Sequence, residues 1–472
     1  MYQTKLIKTL KQLSAIEFNR FERYVQSPYY NSREDAIRLM AFLKEQHPDF
    51  EGEGFNTQLV WERVFPNRSF DDAHFRFLRT YLMRLFYGFI AAEENKTDGH
   101  WQLQDALYAL DKKGMEGLIP NMILQAQERL ENTTVGIERH LHQFRLNQFV
   151  AEHSFTEANR TKKKDLASVL LPLDQYYLIH KLRMSCSLLL RRQTAVEEYH
   201  VLLLDEILQF CASRDLTDMP IVALYYQVWL LLKVADVKAF RNIKKLLAEH
   251  QLSVPPNFLT EIYAHLINFC TRMYRKGELR FLGEMMTLYK TMLQHNLLFQ
   301  HTSSAVHSYK NIVTLGLMLE EYDWTENFIT TYKSYIPAEY QEGAYHYNIA
   351  HLYYYKKTYG QALSHLQRME FIDPFFRIGH NLLLLKTYYE CDEIEAFIAL
   401  CGTFRTYIHR RKNMPTSRKQ AYFHFIKFSR KLFRLKQGKK KSADTIRKEI
   451  ENCNLLVEKK WLLQTLARDC KG

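Results

Sequence analysis

The sequence predicts an all-α protein built largely from paired helices, on three observations. Gly (16) and Pro (11) are scarce in 472 residues, so turns are few, while good helix formers such as Leu, Lys, Arg, Glu and Gln abound. Apolar residues recur at three- and four-residue spacing through most of the chain. Turn signals separate these stretches at intervals of one helical hairpin. A hydrophobic share of 47% excludes wholesale disorder, and 25% charged residues is ordinary for a folded chain. The length calls for about three domains or one extended array.

Residues 1–96 read as an N-terminal helical module. In SPYYNSREDAIRLMAFLK, Pro28 breaks the chain, and Ser32 with Asp35 three residues on is a variant capping box that starts a helix. A short helix around LVWERVF follows, then a turn at PNRS and a longer helix from DDAHFRFLRTYLMRLFYGFI, where Phe75, Leu78, Leu82, Leu85 and Phe89 share one face. Short helix, turn and long helix, with Arg76, Arg79 and Arg84 on the last, also form a helix-turn-helix-like unit that could read DNA. Against that, Asp71 and Asp72 put negative charge where phosphate would approach.

Residues 97–167 read as long bridging helices and a joint: one helical pattern from Asn121 to Ser154, then the polar segment TEANRTKKKD. From 168 to 404 the pattern becomes helical hairpins of roughly 34 to 38 residues, punctuated near Leu216–Pro220, Val254–Asn257, Gln300–Ser304, Pro337 and Asp373–Pro374. A recurring period in that range marks a stacked-helix solenoid. Residues 405–472 read as basic C-terminal helices that cap it, with Leu455, Leu456, Trp461, Leu462 and Leu466 as the apolar positions of the last one.

The stretch YNIAHLYYYKKTYGQALSHLQRMEFIDP, residues 347–374, resembles a tetratricopeptide repeat. Ile349 and Ala350 stand at its paired Leu-Gly positions, Tyr353 at the first-helix aromatic, Tyr359 at the turn, Ala362 and Leu366 on the second helix and Pro374 at the close. The two alanines allow the helices to approach, and the proline ends the hairpin. The resemblance implies a right-handed α-solenoid whose first helices line a concave groove for a peptide or a partner helix. Carried over by position, that groove includes Tyr347, His351, Tyr354 and Tyr355, with Asn381, Tyr388 and Tyr389 from the next repeat. Tyrosine suits such contact because it offers area with a polar tip. The Lys and Asn positions by which some relatives clamp a terminal carboxylate carry Tyr347, His351 and Leu382 here, so that mode of binding is not implied.

Charge is unevenly placed. The net charge is +13, yet residues 405–472 hold 20 basic and 5 acidic residues while the remaining 404 hold 45 and 47. From Arg405 to Lys441 there are fourteen Lys or Arg and no Asp or Glu. SRKQAYFHFIKFSRKLFRL reads as a helix opened by Ser417, with Lys419, Lys427, Arg430, Lys431 and Arg434 on one side and Tyr422, Phe425, Ile426, Phe428, Leu432, Phe433 and Leu435 on the other. A solvated helix usually interleaves Glu and Lys to gain i,i+4 pairs, and this one has none. Clustered like charge repels itself until an anion relieves it. An acidic protein would serve, as would nucleic acid, with Phe423 and Tyr407 stacking on bases. An anionic membrane would engage only the GKKKS loop, because the fold needs the apolar face.

Nothing in the sequence points to catalysis: it contains no GxSxG, no phosphate loop, no HExxH and no dinucleotide fingerprint. No cofactor or metal is expected. Seven scattered cysteines without a CxxC pair suit reduced thiols rather than a disulfide framework or a zinc site. The start lacks the pattern of a signal peptide, and no run reaches the ~18 apolar residues of a membrane span. The expected role is a non-catalytic cytosolic adaptor or scaffold, holding a protein or peptide in the groove and an acidic partner at the basic end. The alternative is a nucleic-acid-associated regulator using the basic helix and the first module.

Overall fold

The computed structural model describes residues 4–50, 56–97, 99–132, 136–153, 167–192, 200–250, 254–299, 302–369, 374–412, 414–438 and 443–470. Among these residues the chain is all-helical, without a strand. It divides into two compact units, Met1–Arg183 and Met184–Gly472.

The first unit opens with α1 (Lys5–Leu10), α2 (Ala15–Gln26), α3 (Glu34–Glu45), α4 (Thr57–Val64) and α5 (Asp72–Thr97). A capping box starts α2: the Glu17 amide donates to Ser14 Oγ at 3.3 Å, and the Ser14 amide donates to Glu17 Oε2 at 2.8 Å. The apolar face foreseen on α5 is buried, with Phe75, Leu78 and Leu82 fully enclosed beside Phe21, Leu39 and Val60. The capping box expected at Ser32 does not form. Helix α3 has Arg33 as its N-cap residue, and the Arg33 guanidinium takes Asp35 into an ion pair. The pattern expected as one long helix from Asn121 is two, α7 (Ile119–Glu131) and α8 (Ile137–His153), which pack with α6 (Gly99–Lys112) around Leu107, Leu130, Leu146 and Phe149. The segment 156–165 read as a joint lies outside the described residues; helix α9 (Ala167–Arg192) contains the division between the units.

The second unit contains α10 (Leu204–Ser213) and then helices that pair in sequence: α11 (Pro220–Val234) with α12 (Val237–His250), α13 (Pro256–Arg275) with α14 (Arg280–Gln294), and α15 (Thr302–Met318) with α16 (Tyr322–Thr331). The series continues with α17 (Ala338–Tyr355) on α18 (Tyr359–Gln367) and α19 (Pro374–Glu390) on α20 (Ile394–Arg410). First helices also meet one another, α11 on α13, α15 on α17 and α17 on α19. Each of the five turns has one left-handed residue: Ala235, Gly277, Glu320, Lys357 and Asp392. Only Gly277 adopts that conformation without steric cost; elsewhere it costs roughly 1–2 kcal/mol, which the packing on either side must offset. Ala350 and Ala362 are both fully buried in the α17–α18 hairpin, where their small side chains allow close approach.

The chain closes with α21 (Thr416–Lys436), α22 (Ala443–Glu451) and α23 (Lys459–Asp469). Helix α21 begins one residue before Ser417, with Pro415 as its N-cap. Its apolar side joins Phe397, Phe404, Leu462 and Leu466 in one core.

Candidate functional site

Two surfaces of the second unit contain the residues singled out in the sequence. The first is the face of α17 and α19, where a tyrosine-lined groove was expected. Tyr347 is 3% exposed and packs 5.4 Å from the Phe376 ring; its hydroxyl lies 2.6 Å from where a Cβ would stand on Gly379, so glycine makes room for it. Tyr389 is fully buried, and its hydroxyl donates to the Asp469 carboxylate. Tyr354 is half-buried, and its hydroxyl accepts a 2.7 Å hydrogen bond from the Trp461 indole. Asn381 and Tyr388 are half-buried, and Tyr355 alone of the seven is exposed.

The cover comes from the chain itself. Helix α23 reaches over α17 and α19, placing Glu458 Oε2 2.9 Å from Lys386 Nζ and Arg468 2.8 Å from the Glu390 carboxylate. The Lys386 side chain is only 9% exposed, so Glu458 neutralises a nearly enclosed ammonium group. His351 sits between the Tyr347 and Tyr355 rings, 5.6 Å from each. Burial, with Lys386 and Lys310 nearby, pushes its pKa down to about 3, so the ring is neutral at physiological pH. The open wall expected from Tyr347 and Tyr389 is thus corrected: both are core residues, Tyr347 because it packs into α19 at Phe376 and Gly379, and Tyr389 because α23 closes over it with Trp461 and Asp469.

The second surface is formed by α20 and α21. Phe397 stacks on Phe433 at 4.4 Å, and the Arg405 guanidinium lies 5.6 Å over the Phe423 ring, which fixes an antiparallel alignment of the two helices. At 1.5 Å per residue that alignment sets Gly402 level with Lys427, and Ile398 and Ile394 within about one residue of the level of Arg430 and Arg434 respectively. Lys427, Arg430 and Arg434 are exposed, and among the described residues no carboxylate lies within ion-pair distance of them. Lys431 differs: it pairs with Glu449 of α22. Lys419 is half-buried and its ammonium donates to the His409 carbonyl at 3.3 Å. The cationic stripe therefore reduces to Lys427, Arg430 and Arg434, joined from α20 by exposed Arg405. Residues 439–442, with most of GKKKS, lie outside the described residues.

The rings expected to stack on bases are already engaged. Phe423 lies beneath Arg405, and Tyr407 is flanked by Arg377 at 4.8 Å and Arg411 at 5.3 Å. In the first unit, Arg76 pairs with Asp72, while Arg79 and Arg84 lie over the Phe75 and Tyr81 rings at 5.1 and 4.9 Å. Sequence reasoning missed Ile394, Ile398 and Gly402. Their signal was a glycine in the middle of IEAFIALCGTFRTYIHR, with isoleucines at four-residue spacing before it.

Among the described residues no group of three or more His, Cys, Asp or Glu is placed to hold a metal ion, and no helix is long and apolar enough to cross a membrane. No protein-family model, curated protein or solved structure matches the chain.

Proposed function

We propose that this protein is a non-catalytic adaptor, a tetratricopeptide-like solenoid that docks an acidic protein partner on the cationic face of α20 and α21. The observation that carries this reading is the contrast along α21 itself. Lys431 has its charge answered by Glu449, whereas Lys427, Arg430 and Arg434 project into solvent without a carboxylate among the described residues. Unanswered like charges at i, i+3 and i+7 repel one another, and an acidic partner turns that cost into attraction. The five successive hairpins with a left-handed residue at each turn support the solenoid part of the reading. Rings already capped by arginine favour an acidic protein over single-stranded nucleic acid, which would need them free for stacking.

The test titrates the full chain with polyglutamate and, in parallel, with a single-stranded oligonucleotide. Polyglutamate is expected to bind, with affinity falling as salt rises from roughly 0.05 to 0.5 M. Replacing Lys427, Arg430 and Arg434 by Glu is expected to weaken binding at least tenfold, about 1.4 kcal/mol. Unchanged binding in that variant contradicts the proposal, and preferential binding of the oligonucleotide selects the nucleic-acid reading instead.

A further inference from the structure

Exposed ion pairs contribute only about 0.2–1 kcal/mol each, so three or four cations on this face set approach and register and leave most of the affinity to other contacts. The face carries such contacts. Along α20, Ile394, Ile398, Gly402 and Arg405 follow one another on the flank beside α21, with Ile394 46% and Ile398 53% exposed. Gly402 is the ninth residue of a seventeen-residue helix, where glycine costs about 1 kcal/mol relative to alanine. No packing among the described residues requires it: a Cβ built there meets no atom within 4 Å. A glycine without an internal packing reason, between exposed isoleucines and a cationic rim, leaves room for another backbone to approach closely.

Resting on the reading of the cationic face given above, we infer that its occupant is an amphipathic acidic helix, lying in the shallow groove between α20 and α21 with its backbone over Gly402. Its apolar side chains cover Ile394 and Ile398, and carboxylates spaced i, i+3 or i+4, and i+7 meet Lys427, Arg430 and Arg434. Those three span about 10 Å along α21, the length that the same spacing covers on a partner helix. The chemistry is charge-complementary on one edge and apolar on the other, a helix-in-groove arrangement. Acidic charge gathers at one end of the groove: Glu395 lies in the first turn of α20, level with Arg434, and Asp392 pairs with Lys436, so the carboxylate facing Arg434 contributes least of the three and the partner beyond it is uncharged or basic.

The experiment measures fluorescence anisotropy of a labelled peptide with glutamates at that spacing and leucines on the adjoining face, against a scrambled peptide of identical composition and a single-stranded oligonucleotide. The full chain is expected to bind the patterned peptide roughly tenfold more tightly than the scramble. Gly402→Leu fills the groove and is expected to weaken binding about tenfold without lowering the circular dichroism melt; Ile398→Ser, which removes an anchor without adding bulk, is expected to weaken it about threefold. If the scramble binds equally well, or neither substitution matters while Arg430→Glu with Arg434→Glu still abolishes binding, the amphipathic-helix inference is overturned and the cationic face stands. Should charge reversal also leave binding unchanged, both fall. Tighter binding of the oligonucleotide than of either peptide overturns the inference as well.

Discussion

On the α17–α19 side of the second unit, Lys386 and Glu390 are answered by Glu458 and Arg468 from the chain's own last helix. On the α20–α21 side, Lys427, Arg430 and Arg434 meet no such counterpart among the described residues. Both faces are rich in rings and charge. What separates them is whether the polypeptide has spent a later segment on covering them, and that contrast tells which face is available to another molecule. A covered face contributes to stability and an uncovered one to association, so substitutions on the two should sort cleanly into different measurements.

The largest expected effect is on the closed side. Trp461 bonds to Tyr354 and packs edge-on against Tyr389 at 5.6 Å, so Trp461→Ala is expected to cost about 3 kcal/mol in denaturant unfolding without weakening polyglutamate binding. Glu458→Ala strands the enclosed Lys386 ammonium and is expected to cost about 2 kcal/mol, less than a fully buried pair because Glu458 is itself partly exposed. Pairing Glu458→Gln with Lys386→Met should recover most of that loss, which distinguishes a charge effect from a packing effect. On the open side, the triple Glu replacement of Lys427, Arg430 and Arg434 is expected to leave stability within about 0.5 kcal/mol while binding falls tenfold. If that variant unfolds instead, the face is not free and the comparison breaks.

Two smaller effects sharpen the contrast. His351 has a folded pKa of about 3, below its ordinary value of 6.5, so as pH falls the unfolded chain takes up the proton first. Its stabilising contribution is complete above about pH 6.5 and is lost progressively as pH falls towards 3. Melting curves from neutral to acid pH should therefore fall more steeply for the wild type than for His351→Gln; parallel slopes would show that the ring is not enclosed. The smallest effect is on Gly402→Ala, expected to stabilise α20 by about 0.5–1 kcal/mol because an exposed helix interior gains from the added Cβ. A destabilised Gly402→Ala would mean that the position is packed, contrary to the open space around it.

Much of the local architecture was legible in the sequence. The buried face of α5 followed from apolar spacing, and the α17–α18 hairpin from Ala350, Ala362 and the period around them. The division of α21 into an apolar and a cationic side also followed from helical phase alone, because both sides belong to one element. The break between α7 and α8 was missed because apolar residues keep helical spacing on either side of it. The hairpin period read as roughly 34 to 38 residues holds only for the last two intervals: the left-handed turn residues stand 42, 43, 37 and 35 residues apart, so no single repeat length finds them all. Burial of Tyr347 and Tyr389 was beyond periodicity, since it depends on contacts with other helices: Phe376 for Tyr347, and for Tyr389 the Asp469 carboxylate, 80 residues on in sequence. Periodicity tells which side of a helix is apolar; it does not tell which distant segment will lie over its polar side.

The central claim is that the α20–α21 face is open and the α17–α19 face is closed, and amine acylation of the folded full chain, read by mass spectrometry with and without polyglutamate, tests it most directly. Lys427 is expected to react fast and to be shielded when polyglutamate is added, while Lys386 reacts slowly in both conditions. Rapid labelling of Lys386, or shielding that falls on Lys386 and spares Lys427, would contradict the account.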